Sequence, residues 1–175
     1  MSQTYIREAS IDDCKNISEI HVKSWLETYD GIIPPSFLSK ISVSERENTW
    51  VNNFKKEELS IFVAISGNDI IGFSSIAPRI YKGSHVIFLE SIYLLKSFQN
   101  QGVGKELFYK ALCRAKEYGY SSIFIEVLAD NPTFNFYLRY SANMIEENII
   151  KLGDENLLEY ILRIDFTDWH IWYFC

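Results

Sequence analysis

At 175 residues, 47% of them hydrophobic, the chain is long enough for one domain with a real core and too apolar for intrinsic disorder. A formal net charge of −6 argues against the basic surface of a general nucleic-acid binder and leaves cationic partners the better match. Three scattered cysteines (Cys14, Cys113, Cys175) suit neither a disulfide framework nor a zinc site, and neither a signal peptide nor an apolar span of membrane length stands out, so a reduced, cytoplasmic protein is expected.

Residues 4–9 alternate weakly and read as a first strand. Ser10-Ile11-Asp12-Asp13 is a variant capping box, and a helix is expected over 11–28, with Ile17, Ile20, His21, Ser24 and Trp25 along one side. Asp30-Gly31 breaks it. Pro34-Pro35 suits the first turn of a short helix over 36–41, and a helix over 44–54 follows or continues it. Residues 60–66 and 69–77 read as a hairpin about Gly67-Asn68, with Pro78 ending its second strand and a polar loop running through Gly83.

Residues 86–95 form an almost continuous β-favouring apolar run, interrupted by Glu90 and Ser91. A glycine-bearing loop follows. Val103, Leu107, Phe108, Ala111, Leu112 and Ala115 then recur at helical spacing, and Gly119 suits the C-terminal cap. A strand is expected over 122–128, a turn at Asp130-Asn131-Pro132, a short helix over 133–140, and a final hairpin of 144–152 and 156–164 about Gly153-Asp154. This order predicts an α/β fold, one mixed central sheet with helices on both faces, spanning residues 1–166. The aromatic tail, 167–175, would cover the core or a partner subunit.

The loop carries the chemistry. Gly102 and Gly104 sit where it turns into the helix, so the first amide N–H groups have no partner within the helix and a ligand oxygen can approach them closely. Such a helix start binds phosphate. A dinucleotide-binding G-x-G-x-x-G fails because Leu107 stands at the third glycine. A P-loop fails because position 99 is not glycine and Glu106 follows Lys105. Gln99-Asn100-Gln101-Gly102-Val103-Gly104 is instead a Q-x-x-G-x-G loop. With a strand before it and a helix after it, it resembles the acetyl-coenzyme A pyrophosphate loop of the GCN5-related N-acetyltransferases, the GNAT superfamily, and the predicted element order is similar to that fold.

The resemblance implies an enzyme that transfers acetyl from acetyl-coenzyme A to a primary amine by direct attack in a ternary complex. It assigns Gln99, Asn100, Gln101, Gly102, Val103, Gly104 and Lys105 to the pyrophosphate cradle, and the backbone of Ile92, Tyr93 and Leu94 to the strand edge that pairs with the pantetheine arm. Asn131 followed by Phe136-Tyr137 resembles the family's N-…-F-Y segment, which makes Asn131 a cofactor contact and Tyr137 the general acid near the thioester sulfur. The family's F-Y-x-x-x-G-F departs here, with Ser141 and Ala142 where glycine and phenylalanine are usual. Glu90, an acid inside an apolar strand, matches a glutamate that takes the amine's proton; its side chain could equally reach solvent or an ion pair. Trp25, Tyr29, Gly31 and Pro34 resemble a W-x-x-x-Y-x-G-…-P segment, which makes Trp25 and Tyr29 walls of the acceptor site.

His21, His85 and His170 show no ligand spacing, so no metal is expected. Another acyl-coenzyme A donor, or a non-catalytic acyl-coenzyme A sensor, stands as the alternative. The acceptor stays open among small amines, peptides and proteins, with the acidic balance leaning to a cationic small molecule; nucleic-acid and membrane partners are not expected, and a homodimer is.

Overall fold

The structure, a computed structural model, describes residues 4–56 and 58–166. The expected tail at 167–175 therefore lies outside the described residues. β1 (Thr4–Glu8) leads through a single 3-10 turn into α1 (Cys14–Tyr29), α2 (Pro35–Leu38) and α3 (Val43–Asn53). Three antiparallel strands follow, β2 (Ser60–Ser66), β3 (Asp69–Tyr81) and β4 (Ser84–Leu94), then α4 (Val103–Glu117), β5 (Ser122–Leu128), α5 (Phe134–Leu138), β6 (Asn143–Leu152) and β7 (Glu155–Asp165). All seven strands join one sheet in the order β1-β2-β3-β4-β5-β7-β6, antiparallel except between β4 and β5. The expected mixed sheet is the one observed.

Period-2 alternation sorts the two faces. Ile61, Val63 and Ile65 of β2 pack with Ile17 and Ile20 of α1 and Trp50 of α3. Phe62 and Ala64, between them in sequence, face the other way onto Val103 and Leu107 of α4. The largest core lies on that second side, where Phe108, Ala111, Leu112 and Ala115 of α4 cover Ile87, Leu89, Ile123, Ile125 and Leu162. Full burial of each large side chain there contributes about 1.5–3 kcal/mol.

Two local expectations change, and one left open is settled. Pro78 does not end β3: pairing with β2 stops at Ser60–Ile76, so Pro78, opposite Ile87, sits on a stretch with one neighbour, where a missing N–H is tolerated. The polar loop expected through Gly83 shrinks to a tight hairpin turn, with Lys82 at φ 49° and Gly83 at φ 81°. The second and third helices are separate, because Ser42 caps α3 by accepting from the Glu45 amide at 3.3 Å. Cys113 is buried on α4, and Cys14 is a buried free thiol.

One irregularity decides the centre of the sheet. Ser75 of β3 lies opposite Ser91 of β4, but the next residue, Ile76, lies opposite Leu89. Glu90 is therefore an extra residue, a β-bulge that bends β4 and increases its twist. Pairing between β4 and β5 is confined to Phe88–Phe124 and Leu89–Ile125. Beyond these the two parallel strands part.

β4 stays against β3 past this point because Gly72 lets it approach. A Cβ built at Gly72 would stand 2.7 Å from the Tyr93 carbonyl oxygen and 2.7 Å from Leu94 Cδ1. Gly72→Ala is expected to cost about 1–3 kcal/mol of stability, the range for overpacking, read as a lower urea midpoint; an unchanged midpoint would show that β4 gives way freely.

Candidate active site

The parted strands enclose a narrow slot of about 100 Å³, lined by the β4 residues Glu90 to Leu94, by Val127 of β5, by Ser24 and Tyr29 of α1, and by Asn131 and Tyr137. At one end lies the glycine loop. Asn100 (φ 60°) and Gly102 (φ 89°) are both left-handed, and the first bond within α4 runs from the Glu106 amide to the Gly102 carbonyl at 3.1 Å. The amides ahead of it have no carbonyl one turn back. A Cβ on Gly102 would meet nothing within 4 Å, and one on Gly104 only Leu94 Cδ2 at 3.9 Å. The space above both glycines is open and a side chain would fill it, so the residues present fit a pyrophosphate. Gln99 and Gln101 brace the loop from within, donating to the carbonyls of Leu94 (3.1 Å) and Ser97 (2.9 Å). The Lys105 ammonium lies 5.2 Å from the Tyr109 ring centre.

Tyr137 is buried, its ring packed on Phe108 and Phe136. Burial, followed by the neighbouring Tyr29, pushes its hydroxyl well above the usual tyrosine range, so it keeps its proton. That hydroxyl has no hydrogen-bond partner among the described residues and lies in the slot wall. Asn131 is spent differently: its Oδ1 accepts from the Thr133 amide (2.9 Å) and its Nδ2 donates to the Tyr29 hydroxyl (3.1 Å). Four residues beyond Tyr137, Ser141 takes a left-handed φ of 54°, so the turn survives without the family's glycine.

A larger cavity of about 710 Å³ opens on the α1–α3 side, walled in part by His21, Arg46, Trp50 and Arg79. It shares Glu90, Ser91 and Tyr93 with the slot, so the two spaces meet at the bulge. Trp25 and Tyr29, expected as acceptor walls, lie on the slot side of this junction. Tyr29 lines the slot, and Trp25 supports the wall from behind by donating from Nε1 to the Tyr93 hydroxyl at 2.7 Å. Both oxygens of Glu90 accept from Arg79, at 2.6 Å each, and Arg79 also reaches Glu126 at 2.8 Å while its guanidinium lies 4.5 Å from the Phe88 ring centre. Only the remaining lone pairs of Glu90 are left for water or an amine.

Two residues of the α1 stripe enter the site without having been singled out by sequence. His21 accepts from Trp50 Nε1 through Nδ1 at 3.2 Å and stacks on Tyr93 at a centroid distance of 5.0 Å. Burial first, then the charge of Arg46, holds its pKa down at about 3, so it is a neutral imidazole with its proton on Nε2. Ser24 is 4% exposed, and its Oγ is the one sealed side-chain polar atom without a partner among the described residues. Ser18, one and a half turns earlier, satisfies its hydroxyl on the Cys14 carbonyl at 2.6 Å; Ser24 does not. Among the described residues no three His, Cys, Asp or Glu side chains form a metal-binding group, and no helix is long and apolar enough to cross a membrane.

A sheet parted between two parallel strands, over a glycine-opened helix start and beside a second cavity, defines an α/β frame with two adjoining binding spaces. The profile of the acetyltransferase (GNAT) family matches residues 19–141. The chain is also 34% identical over 156 residues, 88% of each chain, to the uncharacterized N-acetyltransferase YuaI of Bacillus subtilis. It belongs to the GNAT family and is an N-acetyltransferase by class. Among solved structures, its fold is similar to the PaiA N-acetyltransferase of Thermoplasma acidophilum in complex with coenzyme A (TM-score 0.75, 20% identity, 93% of this chain and 99% of that one). It is likewise similar to YncA of Salmonella typhimurium with acetyl-coenzyme A (TM-score 0.72, 18% identity, 94% and 95% covered).

The neutral His21 has a consequence for stability. Its folded pKa of about 3 lies below the unfolded value near 6.5, so the unfolded chain binds the extra proton between these limits. The contribution is complete above pH ~6.5 and is lost as pH falls, by up to about 1.4 kcal/mol per unit. Urea unfolding at pH 7.5 and 5.0 should show a smaller acid loss for His21→Gln than for the wild type; equal losses would place the proton elsewhere.

Proposed function

We propose that the protein transfers an acetyl group from acetyl-coenzyme A to a primary amine, with donor and acceptor meeting at Glu90, Ser91 and Tyr93. The observation that carries this reading is the junction itself: a slot that opens from a phosphate-sized cradle runs into an acceptor-sized cavity at a strand edge with unpaired backbone. Acetyl-coenzyme A would supply the activated acyl group. The open amides of the loop around Gly102 and Gly104 hold its pyrophosphate, and the free β4 edge at Ile92, Tyr93 and Leu94 aligns its amide-bearing arm as an added strand would.

In the transfer a C–N bond forms and a C–S bond breaks; the amine loses one proton and the departing sulfur gains one. Tyr137, protonated and unpartnered, holds its proton at the hydroxyl oxygen for the sulfur. Glu90 takes the amine's proton through its outward lone pairs or through water. Ser24 supplies a donor that sequence did not suggest: with the β4 amides, its hydroxyl faces the charge that develops on the transferred carbonyl, which explains an otherwise costly orphan group.

Calorimetry should show acetyl-coenzyme A binding to the wild type and not to a Gly102→Val/Gly104→Val variant; no binding to the wild type would end the donor assignment. Thiol-release assays with an amine panel should show kcat reduced about a hundredfold in Tyr137→Phe and about tenfold or more in Ser24→Ala, with coenzyme A affinity retained. Ser24→Ala should also melt no lower than the wild type, since it breaks no bond within the protein; unchanged kcat would remove Ser24 from the site. Binding without turnover of any amine would favour an acyl-coenzyme A sensor.

A further inference from the structure

The arginines of this chain are, with two exceptions, neutralised by acids. Arg7, Arg79, Arg114 and Arg163 each pair with at least one carboxylate, and Arg139 is exposed. Arg46 is the exception that is partly buried. It has no acidic partner among the described residues, and it lines the acceptor cavity with Lys56 close by. Its guanidinium carbon sits 5.5 Å from the Trp25 ring centre. A guanidinium over an indole face is attracted by the ring, and its N–H fork is shaped to grip a carboxylate with two parallel hydrogen bonds.

The acids of the same cavity do not cancel it. Glu90 is held on both oxygens by Arg79, and Glu58 makes no ion pair with Arg46. The cavity therefore has an arginine-bound acid at the bulge, where the amine must arrive, and on the α3 side a cation with no acidic partner among the described residues. A volume of about 710 Å³ suits a small molecule.

We propose that Arg46 is the anion-binding residue of the acceptor cavity and that the acceptor is a small primary amine carrying a carboxylate, an amino acid or short peptide. This rests on the acetyl-transfer reading above and replaces the cationic acceptor that the overall charge suggests. The amine points to Glu90 and Ser91, and the carboxylate lies in the fork of Arg46 at the other end. The bonds made and broken are those of acetyl transfer, with Arg46 binding and orienting only.

The test is a thiol-release assay at saturating acetyl-coenzyme A with matched pairs: amino acids and dipeptides against their carboxamides, beside spermidine and phosphoethanolamine. The carboxylates should exceed the matched carboxamides at least about tenfold in kcat/KM, the scale of a charged hydrogen bond. Arg46→Gln should raise KM for carboxylates by about that factor, leave carboxamides within about twofold, and so erase the preference. Arg46→Lys, which keeps the charge and loses the fork, should fall between. Equal rates for acid and amide, a preference for spermidine or phosphoethanolamine, or equal losses on both members of a pair in a folded Arg46→Gln protein would overturn the proposal. The wild-type acid–amide comparison decides it even where a variant fails to fold. Turnover of other amines with none of the carboxylate-bearing ones would overturn the acceptor class alone; binding of acetyl-coenzyme A with no turnover of any amine, or absence of that binding, would overturn the acetyl-transfer reading first.

Discussion

The site exists because one residue of β4 has no counterpart on β3. Glu90 enters the ladder as an extra residue, and from that point β4 turns away from β5. On its other side β4 remains paired with β3 through Ser91, Ile92, Tyr93 and Leu94. Its inner edge is left with backbone donors and acceptors facing a narrow space. Buried backbone groups are seldom left so. An occupant that carries amides of its own can complete the ladder, and this is a constraint on ligand chemistry that follows from strand register alone.

Strands that are not paired need something else to keep them at a fixed separation. Here side chains from three segments do it. Trp25 of α1 donates to the Tyr93 hydroxyl on β4, while Tyr29, one turn along the same helix, stands beside that hydroxyl and accepts from Asn131 in the loop after β5. Asn131 in turn fixes the Thr133 amide at the start of α5, which carries Tyr137. The bonded pairs are 68 and 102 residues apart in sequence. α1 is thus a strut across the opening, with Trp25 and Tyr29 bonded to the elements on its two sides.

Much of this architecture was legible because its signals are local. Alternation in residues 60–66, helical spacing after Gly102 and the glycine-bearing loop each carry their own physics, and the resemblance in Gln99–Gly104 and Asn131–Tyr137 joins them into one fold. What was hidden depends on a partner strand or a distant side chain. An acid in the β4 run was visible; that it is a bulge, and that Arg79 binds it on both oxygens, requires the β3 register. Pro78 reads as a strand end until β2 is seen to stop at Ser60–Ile76. Ser141 reads as a lost glycine until its backbone is seen to adopt the glycine's conformation. Ser24 and His21 were on the correct helix face, yet helical periodicity cannot separate a residue that fills a core from one that borders a cavity.

The distribution of unmet polar groups supports a ligand independently of any family resemblance. Away from the site, buried hydroxyls are provided for: Ser18 on Cys14, Ser74 on the Leu107 carbonyl, Ser60 with Tyr118. Around the slot and cavity the pattern reverses. A sealed serine hydroxyl, a protonated tyrosine, an unpaired strand edge and an arginine over an indole, with no carboxylate partner among the described residues, all face two adjoining spaces. Each is unfavourable in isolation, a sealed polar group by about 1–3 kcal/mol. Random imperfection would scatter such groups through the molecule. Their convergence on one junction is what a fold retains when the missing partners arrive with a ligand.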